Sequence, residues 1–195
     1  MEKKSVHELV MGNRSYRRFD ASMRVEIKTL KGLVDLARNT ASAGNLQPLK
    51  YILSASEEKN REIFSCLAWA AYLPKWKGPE PGERPSGYIV IMGDKNITEN
   101  FRCDHGIAAQ TILLGAREQG LGGCIFAAIN HKKIRQYLSI SPSHEVLLVI
   151  ALGKPVENVV LEQVGEDGNI RYWRDRESVH HVPKRKLEEI IVAAH

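Results

Sequence analysis

DHGIAAQTILLGAREQGLGGCIFAAIN, residues 104–130, carries the strongest structural signal in this sequence. Its first half has small or apolar residues around nearly the whole helical circumference, which predicts a helix buried in a core rather than laid on a surface. Gly120, Gly122 and Gly123 then supply a left-handed cap and a tight turn. The apolar run at 124–129 has the length of a strand. We therefore predict a central helix, a glycine-rich loop and a buried strand.

The glycine-rich loop has two interpretations. Without side chains in the way, its backbone N–H groups can approach a flat or anionic ligand. Alternatively, the glycines only end a helix before a strand, which is the more common meaning of such a pattern. The loop alone does not decide between the two.

The remaining elements are predicted from periodicity and from turn residues. Helices are expected over residues 5–12, 25–38, 57–71, 131–138 and 186–192. Strands are expected over residues 51–54, 87–93, 124–129 and 145–152. Four strands separated by helices indicate an α/β arrangement of helices packed on a sheet. Residues 73–86, rich in proline, glycine and charge, are expected to form an ordered loop or lid, and residues 156–182 to be polar and irregular.

The bulk properties of the chain limit its class. It has 195 residues, 43% of them hydrophobic, and no internal repeat or linker, so one domain over residues 1–195 is predicted. No run approaches the roughly 20 apolar residues of a membrane span, and the N-terminus lacks the apolar stretch of a secretory signal. Cys66, Cys103 and Cys124 lack metal-ligand spacing, so we expect reduced thiols in a cytoplasmic protein.

Basic residues cluster near both ends of the chain. Arg14, Arg17 and Arg18 surround the hydroxyl of Ser15, and residues 184–186 read Lys-Arg-Lys. Guanidinium forks and a lysine around a hydroxyl suit a phosphate monoester. Either cluster alone is more often a solvated surface patch. Convergence of the two clusters in space would favour phosphate binding.

A nucleic-acid-binding module is an alternative for a chain with a formal net charge of +5. Such modules usually carry a long basic stripe or exposed aromatic side chains among the basic ones. The sequence has neither, which counts against this class.

No hydrolytic or metal-binding motif is present in the sequence. The adjacent His180 and His181 are expected at the surface, and Cys124 in a packed core. Asp104 fits a catalytic acid or, equally, a carboxylate near a helix start. Phosphate-binding clusters without an acid–base pair indicate that a cofactor supplies the chemistry.

Three motifs, in this order, resemble the FMN-dependent nitroreductase family. RSYRRF at 14–19 is similar to the family's R-S-x-R-x-F phosphate segment, and ASAGNLQP at 41–48 to its P-S-x-x-N-x-Q-P loop. GIAAQ at 106–110, followed by GLGGC at 120–124, looks like its central helix and G-L-G turn. The resemblance spans about residues 5–155.

This resemblance implies an α/β (α+β) fold with a mixed central sheet flanked by helices, assembled as an intertwined homodimer. The C-terminal extension, about residues 156–195, is expected to wrap the partner subunit. FMN is expected at the dimer interface, reduced by NAD(P)H and reoxidised by a nitroaromatic, a quinone or a similar small substrate in a two-step (ping-pong) mechanism. No nucleic acid and no membrane is expected as a partner.

The resemblance also implies a set of FMN-binding residues. They are Arg14, Ser15, Arg17, Ser42, Ala43, Asn45, Gly122, Ala127, Ala128, Lys184 and Arg185. Arg14 and Ser15 hold the phosphate, with a basic residue of the tail closing on it. Arg17 lies near the flavin N1/O2 edge, where a positive charge stabilises the reduced flavin. The loop at 42–45 comes from the partner subunit, and the two alanines line the ring.

The chain departs from the family pattern in three places. Asn13 stands where the family often has arginine, Ala41 replaces a common proline, and no acidic residue lies near Ala127. The aromatic side chains of the segment 69–82 either cover the flavin or pack under a loop, and the sequence favours neither. They are Trp69, Tyr72 and Trp76. A flavin-binding or flavin-remodelling protein of the same fold that does not use nicotinamide is the second functional hypothesis.

Overall fold

The computed structural model describes residues 4–195, so the first three residues of the domain predicted over 1–195 lie outside the described residues. The helices are α1 (Val6–Gly12), α2 (Ile27–Arg38), α3 (Glu57–Phe64), α4 (Asp104–Glu118), α5 (His131–Tyr137) and α6 (Leu187–Ile190). The strands are β1 (Phe19–Asp20), β2 (Leu49–Ser54), β3 (Gly87–Asp94), β4 (Gly122–Phe126), β5 (His144–Pro155), β6 (Val159–Gln163), β7 (Trp173–Arg174) and β8 (His180–Lys184). Short 3-10 turns lie at Ala43–Asn45 and Pro81–Glu83.

A five-stranded sheet forms the centre of the fold. The long strand β5 pairs with β3 on one side and with β4 and β1 on the other, and β2 pairs with the outer side of β3. These ladders are antiparallel, and a single parallel bridge joins Ser15 to Gly123. β3 is buried along almost its whole length because helices cover both faces of the sheet. The predicted class, α/β (α+β) with helices on a central sheet, is confirmed.

Each face of the sheet has its own apolar core. On one face, α2 and α4 pack through Leu33, Ile112 and their neighbours. On the other face, α3 and α5 pack through Ile63 and Ile134, both fully buried. The helical spacing of these residues, every third or fourth position, gives each helix one apolar stripe toward the sheet.

The central helix α4 is less buried than its sequence predicts. Ala108, Ala109 and Ile112 face the core, whereas Gly106, Ile107 and Gln110 are exposed. The prediction of a helix buried on nearly every side is therefore wrong for the single chain. The sheet can cover only one side of a helix, and small or apolar residues on the opposite side are left without a neighbour.

The glycine-rich turn proves to be a place of close packing. Gly120 has φ +74°, the left-handed conformation that ends a helix. Gly122 and Gly123 lie in β4, so the strand begins before the predicted run at 124–129 and ends at Phe126. A Cβ on Gly123 would lie 2.4 Å from the carbonyl oxygen of Ala151, so only glycine allows β4 to approach β5 here.

Two predicted elements are corrected. The helix expected over 57–71 ends at Phe64, because the following residues turn into a loop in which Ala70 takes a positive φ. The tail expected to be irregular over 156–182 contains most of a second sheet, in which β8 pairs in parallel with β6 and antiparallel with β7. Its strands are short and pair across long sequence separations, which local patterns do not reveal.

Candidate functional site

An open cleft of about 360 Å³ lies between residues 13–18, called the front segment, the helix α4, the strand β4 and the second sheet. Arg14, Ser15 and Arg17 line it from the front segment. His180 and Lys184 line it from β8. Arg14 and Arg17 of the front basic cluster and Lys184 of the tail cluster therefore face one space, although they lie at opposite ends of the sequence.

The front segment is fixed against the central sheet. The backbone N–H of Tyr16 donates to the Gly123 carbonyl at 3.0 Å, next to the bridge at Ser15. The Tyr16 hydroxyl donates to the Gly12 carbonyl at 3.0 Å. Arg14 donates from Nη2 to the Val10 carbonyl at 2.6 Å. Its Nε is buried and has no hydrogen-bond partner among residues 4–195, so this donor is available to an acceptor in the cleft.

Arg17 is held from several directions. Its Nη1 donates to the Ser15 carbonyl at 3.2 Å and lies 3.3 Å from Nε2 of His180. The guanidinium carbon lies 4.8 Å from the centre of the Tyr172 ring, a cation–π distance. These contacts fix a permanent positive charge at the wall of the cleft.

His180 and Tyr172 are cleft residues that the sequence analysis missed. The prediction that His180 lies at the surface is wrong, since it is 1% exposed. The pKa of His180 is lowered to about 4, mainly by burial and also by the charges of Arg17 and Arg174, against the opposing effect of Glu157. A neutral imidazole can accept from Arg17 through Nε2, which leaves the hydrogen on Nδ1. That atom is buried without a partner in the described part of the chain.

Strand alternation is the signal that could have located His180. Adjacent residues of a strand point to opposite faces, so His180 and His181 cannot both face solvent in the same way. His181 stacks on Trp173 with a centroid distance of 4.0 Å and contacts Glu162 and Asp175. Desolvation by itself lowers the pKa of His181, but the hydrogen bonds to the two carboxylates raise it overall.

A buried ion pair attaches the second sheet to the front segment. The Glu157 side chain is fully buried, and that of Arg174 is 15% exposed. The carboxylate accepts from Arg174 Nη2 at 2.5 Å and from the backbone N–H of Arg17 at 2.8 Å. The position of the tail over the cleft therefore depends on a charge that has little access to water.

The loop around Ser42 is ordered by Asp104, the first residue of α4. Ser42 Oγ donates to Asp104 Oδ2 at 2.6 Å, and the Ala43 N–H donates to Oδ1 at 3.0 Å. Asp104 is 5% exposed, so of its two predicted roles the structure supports the carboxylate at a helix start. Ala43 and Asn45 are exposed, and Ser42 lines a different hollow. The single chain does not bring this loop to the basic cleft.

The other predicted site residues also lie outside the lining of the cleft. Ala127 and Ala128 are exposed beyond the end of β4. Arg185 is exposed and pairs with Glu189 at 3.6 Å. Gly122 is buried, and a Cβ there would meet the Tyr16 ring at 2.5 Å.

The aromatic side chains of the segment 69–82 pack within the protein. Trp69 contacts Phe126 with ring centroids 4.6 Å apart. Trp76 lies under the Arg174 guanidinium at 4.2 Å, and Tyr72 contacts Tyr172 at 4.9 Å. Through Tyr72 and Trp76 these contacts connect the segment 69–82 to the second sheet, and cover of the flavin by these side chains stays a prediction.

The three thiols are unpaired. Burial raises the pKa of Cys124 to about 11, so it is a packed core residue as expected. Across residues 4–195, no group of three or more His, Cys, Asp or Glu side chains is arranged to hold a metal ion. None of the helices found in that range has the length and apolar character needed to cross a membrane.

Comparison with known proteins matches residues 10–154 to the nitroreductase family. A relative from Bacillus subtilis (strain 168), YodC, which is named as a proposed NAD(P)H nitroreductase, is 24% identical over 180 residues, covering 77% of this chain and 89% of that protein. An FMN-dependent nitroreductase of Clostridium difficile R20291 has a similar structure, with a TM-score of 0.65, 24% identity and coverage of 78% of this chain and 89% of the other. A nitroreductase-like protein of Streptococcus mutans gives a TM-score of 0.70 at 16% identity, covering 97% and 98% of the two chains.

Proposed function

Because the chain belongs to the nitroreductase family, we propose that it is an FMN-dependent oxidoreductase that uses NAD(P)H to reduce a small oxidised molecule such as a nitroaromatic or a quinone. The observation that carries the proposal is the cleft in which basic residues from both ends of the chain meet. The two similar proteins named for FMN-dependent or NAD(P)H-dependent nitroreduction support it.

The donors in the cleft fit a phosphate monoester. Arg14 and Lys184 provide positive charge and Ser15 provides a hydroxyl. The unpartnered Nε of Arg14 offers a further N–H donor, and charge-assisted hydrogen bonds of this kind are the strong ones. These three residues would hold the FMN phosphate. Asn13, in place of the family's frequent arginine, leaves the site with one cation fewer.

Arg17 is proposed to stabilise negative charge at the pyrimidine edge of the flavin. When bound, FMN supplies the redox chemistry, taking two electrons from NAD(P)H and passing them to the second substrate in a separate half-reaction. The guanidinium is held in place by its contacts to Ser15, His180 and Tyr172. A charge fixed before the reaction stabilises developing negative charge without a cost of reorganisation.

We further propose that the protein is a homodimer and that the partner subunit supplies the loop containing Ser42, Ala43 and Asn45. The apolar side chains exposed on the single chain support this arrangement. Ile107 is exposed on α4, and in the C-terminal segment Leu187 is 61% and Ile190 60% exposed. Leu187 and Ile190 lie one turn apart on α6, and apolar side chains exposed together in this way mark association sites. The C-terminal segment is proposed to lie against the partner subunit.

The proposal is tested on the purified protein by light scattering and visible absorbance. A dimeric, yellow protein whose flavin absorbance bleaches anaerobically on adding NADH or NADPH is the expected result. Bound FMN that neither nicotinamide reduces would instead support a flavin-binding or flavin-remodelling protein. Protein that is colourless and does not bind added FMN would overturn the flavin proposal, both for an NAD(P)H-dependent enzyme and for a flavin-binding protein.

Arg17→Ala tests the proposed role of this side chain. Loss of one charge-assisted contact is expected to weaken FMN binding or slow flavin reduction by about 10- to 100-fold. Arg18→Ala is the matched control, because Arg18 pairs with Glu83 at 2.6 Å and does not line the cleft. Both variants should remain dimeric by light scattering. Equal flavin content and equal reduction rates in the two variants would show that Arg17 is misassigned.

A further inference from the structure

A second cavity, of about 290 Å³, lies on the other side of the sheet from α4. It is bounded by α3, by the chain that follows β1, and by residues 81–86, which lead into β3. Its lining has no residue in common with the basic cleft. Whatever binds there need not touch the flavin.

Positive charge is in excess around this cavity. Arg24, Arg61 and Arg84 line it, against the single carboxylate of Glu57. Glu57 lies 3.4 Å from Arg24 and 3.8 Å from Arg61, and all three of these side chains are more than half exposed. Such exposed pairs are worth little, so both guanidinium groups can turn toward an anion.

Two buried hydrogen-bond donors at the cavity have no partner. The Tyr88 hydroxyl belongs to a side chain that is 1% exposed, and Arg84 Nε is buried beside Phe64, whose ring centre is 4.3 Å from the guanidinium carbon. Neither atom has an acceptor anywhere in residues 4–195. Burial raises the pKa of Tyr88 despite the opposing charge of Arg84, so the phenol stays protonated and acts as a donor.

The two other buried polar side chains of the cavity wall, Asn60 and Ser86, are already satisfied by the protein. Asn60 Nδ2 donates to the Ser86 carbonyl at 2.8 Å, and its Oδ1 accepts from Ser54 at 2.7 Å. Ser86 Oγ donates to the Met23 carbonyl at 2.8 Å. The buried donors without a partner are thus those of Arg84 and Tyr88, and the same cavity wall contains Phe64, Pro81 and Pro85.

We propose that this cavity binds a small organic acid, with its carboxylate at Arg84 and Tyr88 and its flat apolar body against Phe64, Pro81 and Pro85. A carboxylate provides acceptors for both unpartnered donors and balances the excess of arginine. The apolar wall packs against the carbon skeleton of an organic acid, which an inorganic anion does not have. Pockets with an apolar lining and a few convergent polar groups are typical of small-molecule sites.

Calorimetric titration with three probes tests the proposed chemistry. Benzoate carries both the ring and the carboxylate, benzamide the ring without the charge, and inorganic phosphate the charge without the ring. Benzoate is expected to bind at least about tenfold more tightly than either of the others. The protein is titrated as purified, so failure of the flavin proposal leaves this test intact. Benzamide binding as tightly as benzoate, or phosphate doing so, would overturn the assignment of an organic acid.

Nuclear magnetic resonance of the arginine Nε–H groups locates the bound benzoate, which is necessary because benzoate can also enter the cofactor cleft. The Nε–H signal of Arg84 is identified as the one that is missing from the spectrum of Arg84→Met. In the unmodified protein, this signal is expected to shift as benzoate is added. Arg84→Met should weaken benzoate binding at least about tenfold and Tyr88→Phe about fivefold, the effects of losing a charged and a neutral hydrogen bond. Arg176→Met, at an exposed position outside the cavity, should leave the affinity for benzoate unchanged.

Folding of the variants is checked by thermal unfolding. Tyr88→Phe removes a buried hydroxyl that has no partner, so its melting temperature should be unchanged or higher. A stable Tyr88→Phe that binds benzoate as well as the unmodified protein, or an Arg84 signal that stays in place during titration, would refute the site.

Discussion

Replacing Arg174 with methionine is expected to destabilise the protein by about 3–5 kcal/mol, the usual cost of leaving a buried carboxylate without its cation. The Glu157 side chain has no solvent exposure, and Arg174 is the guanidinium that it contacts, at 2.5 Å. After the substitution, the carboxylate keeps one hydrogen bond, from the backbone N–H of Arg17. Water cannot reach it without opening the junction between the front segment and the second sheet.

The double variant Glu157→Gln/Arg174→Met separates this effect from lost packing. Methionine also loses the contact of Arg174 with Trp76, whose ring centre is 4.2 Å from the guanidinium carbon. That loss is common to the single and the double variant. The double variant has no charge at position 157, so it should be more stable than Arg174→Met by about 2 kcal/mol, within the range of buried charge penalties.

Urea unfolding at one fixed protein concentration measures these differences, since association makes apparent stability depend on concentration. Arg176→Met is the control because this arginine is exposed, two residues away in the same segment. It should change the free energy of unfolding by less than about 0.5 kcal/mol. A double variant no more stable than Arg174→Met alone would refute the buried-charge explanation.

Asp104→Ala should lower the free energy of unfolding in urea by about 2 kcal/mol, because the Ser42 hydroxyl and the backbone N–H of Ala43 lose their acceptor. Asp104→Asn should lower it by about half as much. His180 has a pKa of about 4 in the folded protein against 6.5 as its ordinary value, so the unfolded chain binds the extra proton between these pH values. Stability should therefore fall by up to about 3 kcal/mol as the pH drops from 6.5 to 4, and His180→Gln should remove this component. At mildly alkaline pH a thiol reagent should modify the exposed Cys103 in the folded protein but not Cys124, whose pKa burial raises to about 11.

Each of these three expectations has a contradicting result. Equal stability of Asp104→Ala and the unmodified protein would mean that the loop is ordered by other contacts. The free energy of unfolding of the unmodified protein is compared with that of His180→Gln at pH 7 and again at pH 4. The same difference between the two proteins at both pH values would exclude a neutral buried imidazole. Modification of Cys124 at the same rate as Cys103, measured by mass spectrometry of the digested protein, would show that the strand β4 opens readily.

Local sequence signals were sufficient for most elements of the central sheet and of the helices that cover it. The helix over 25–38 and the strand over 87–93 were predicted to within two residues of their observed bounds. Both predictions rest on patterns among residues close together in the chain, such as the apolar stripe along a helix. The helix expected over 57–71 was too long because its last residues are apolar for another reason: Cys66 and Leu67 pack into the core from a loop.

The candidate site was only partly accessible to the same reasoning. Arg14, Ser15 and Arg17 were identified from composition and from a family resemblance, and their side chains do line one cleft. Tyr172 and His180 were missed because no short pattern distinguishes a cleft residue from a surface residue in a polar tail. The assignments of Ser42, Asn45 and the alanines after β4 stay predictions that depend on a second subunit.

What the sequence determined by itself was local: where helices end and which residue types can bind a phosphate. Gly120 illustrates this, since it takes the left-handed conformation, φ +74°, that ends a helix and that glycine adopts without strain. Only the tertiary structure decided that β8 pairs with β6 and so carries Lys184 and His180 to the arginines of the front segment. It also left one side of α4 uncovered. Both outcomes depend on which residues far apart in the chain come into contact. The free energy of such contacts comes from the packing of the whole fold and not from any single stretch of sequence.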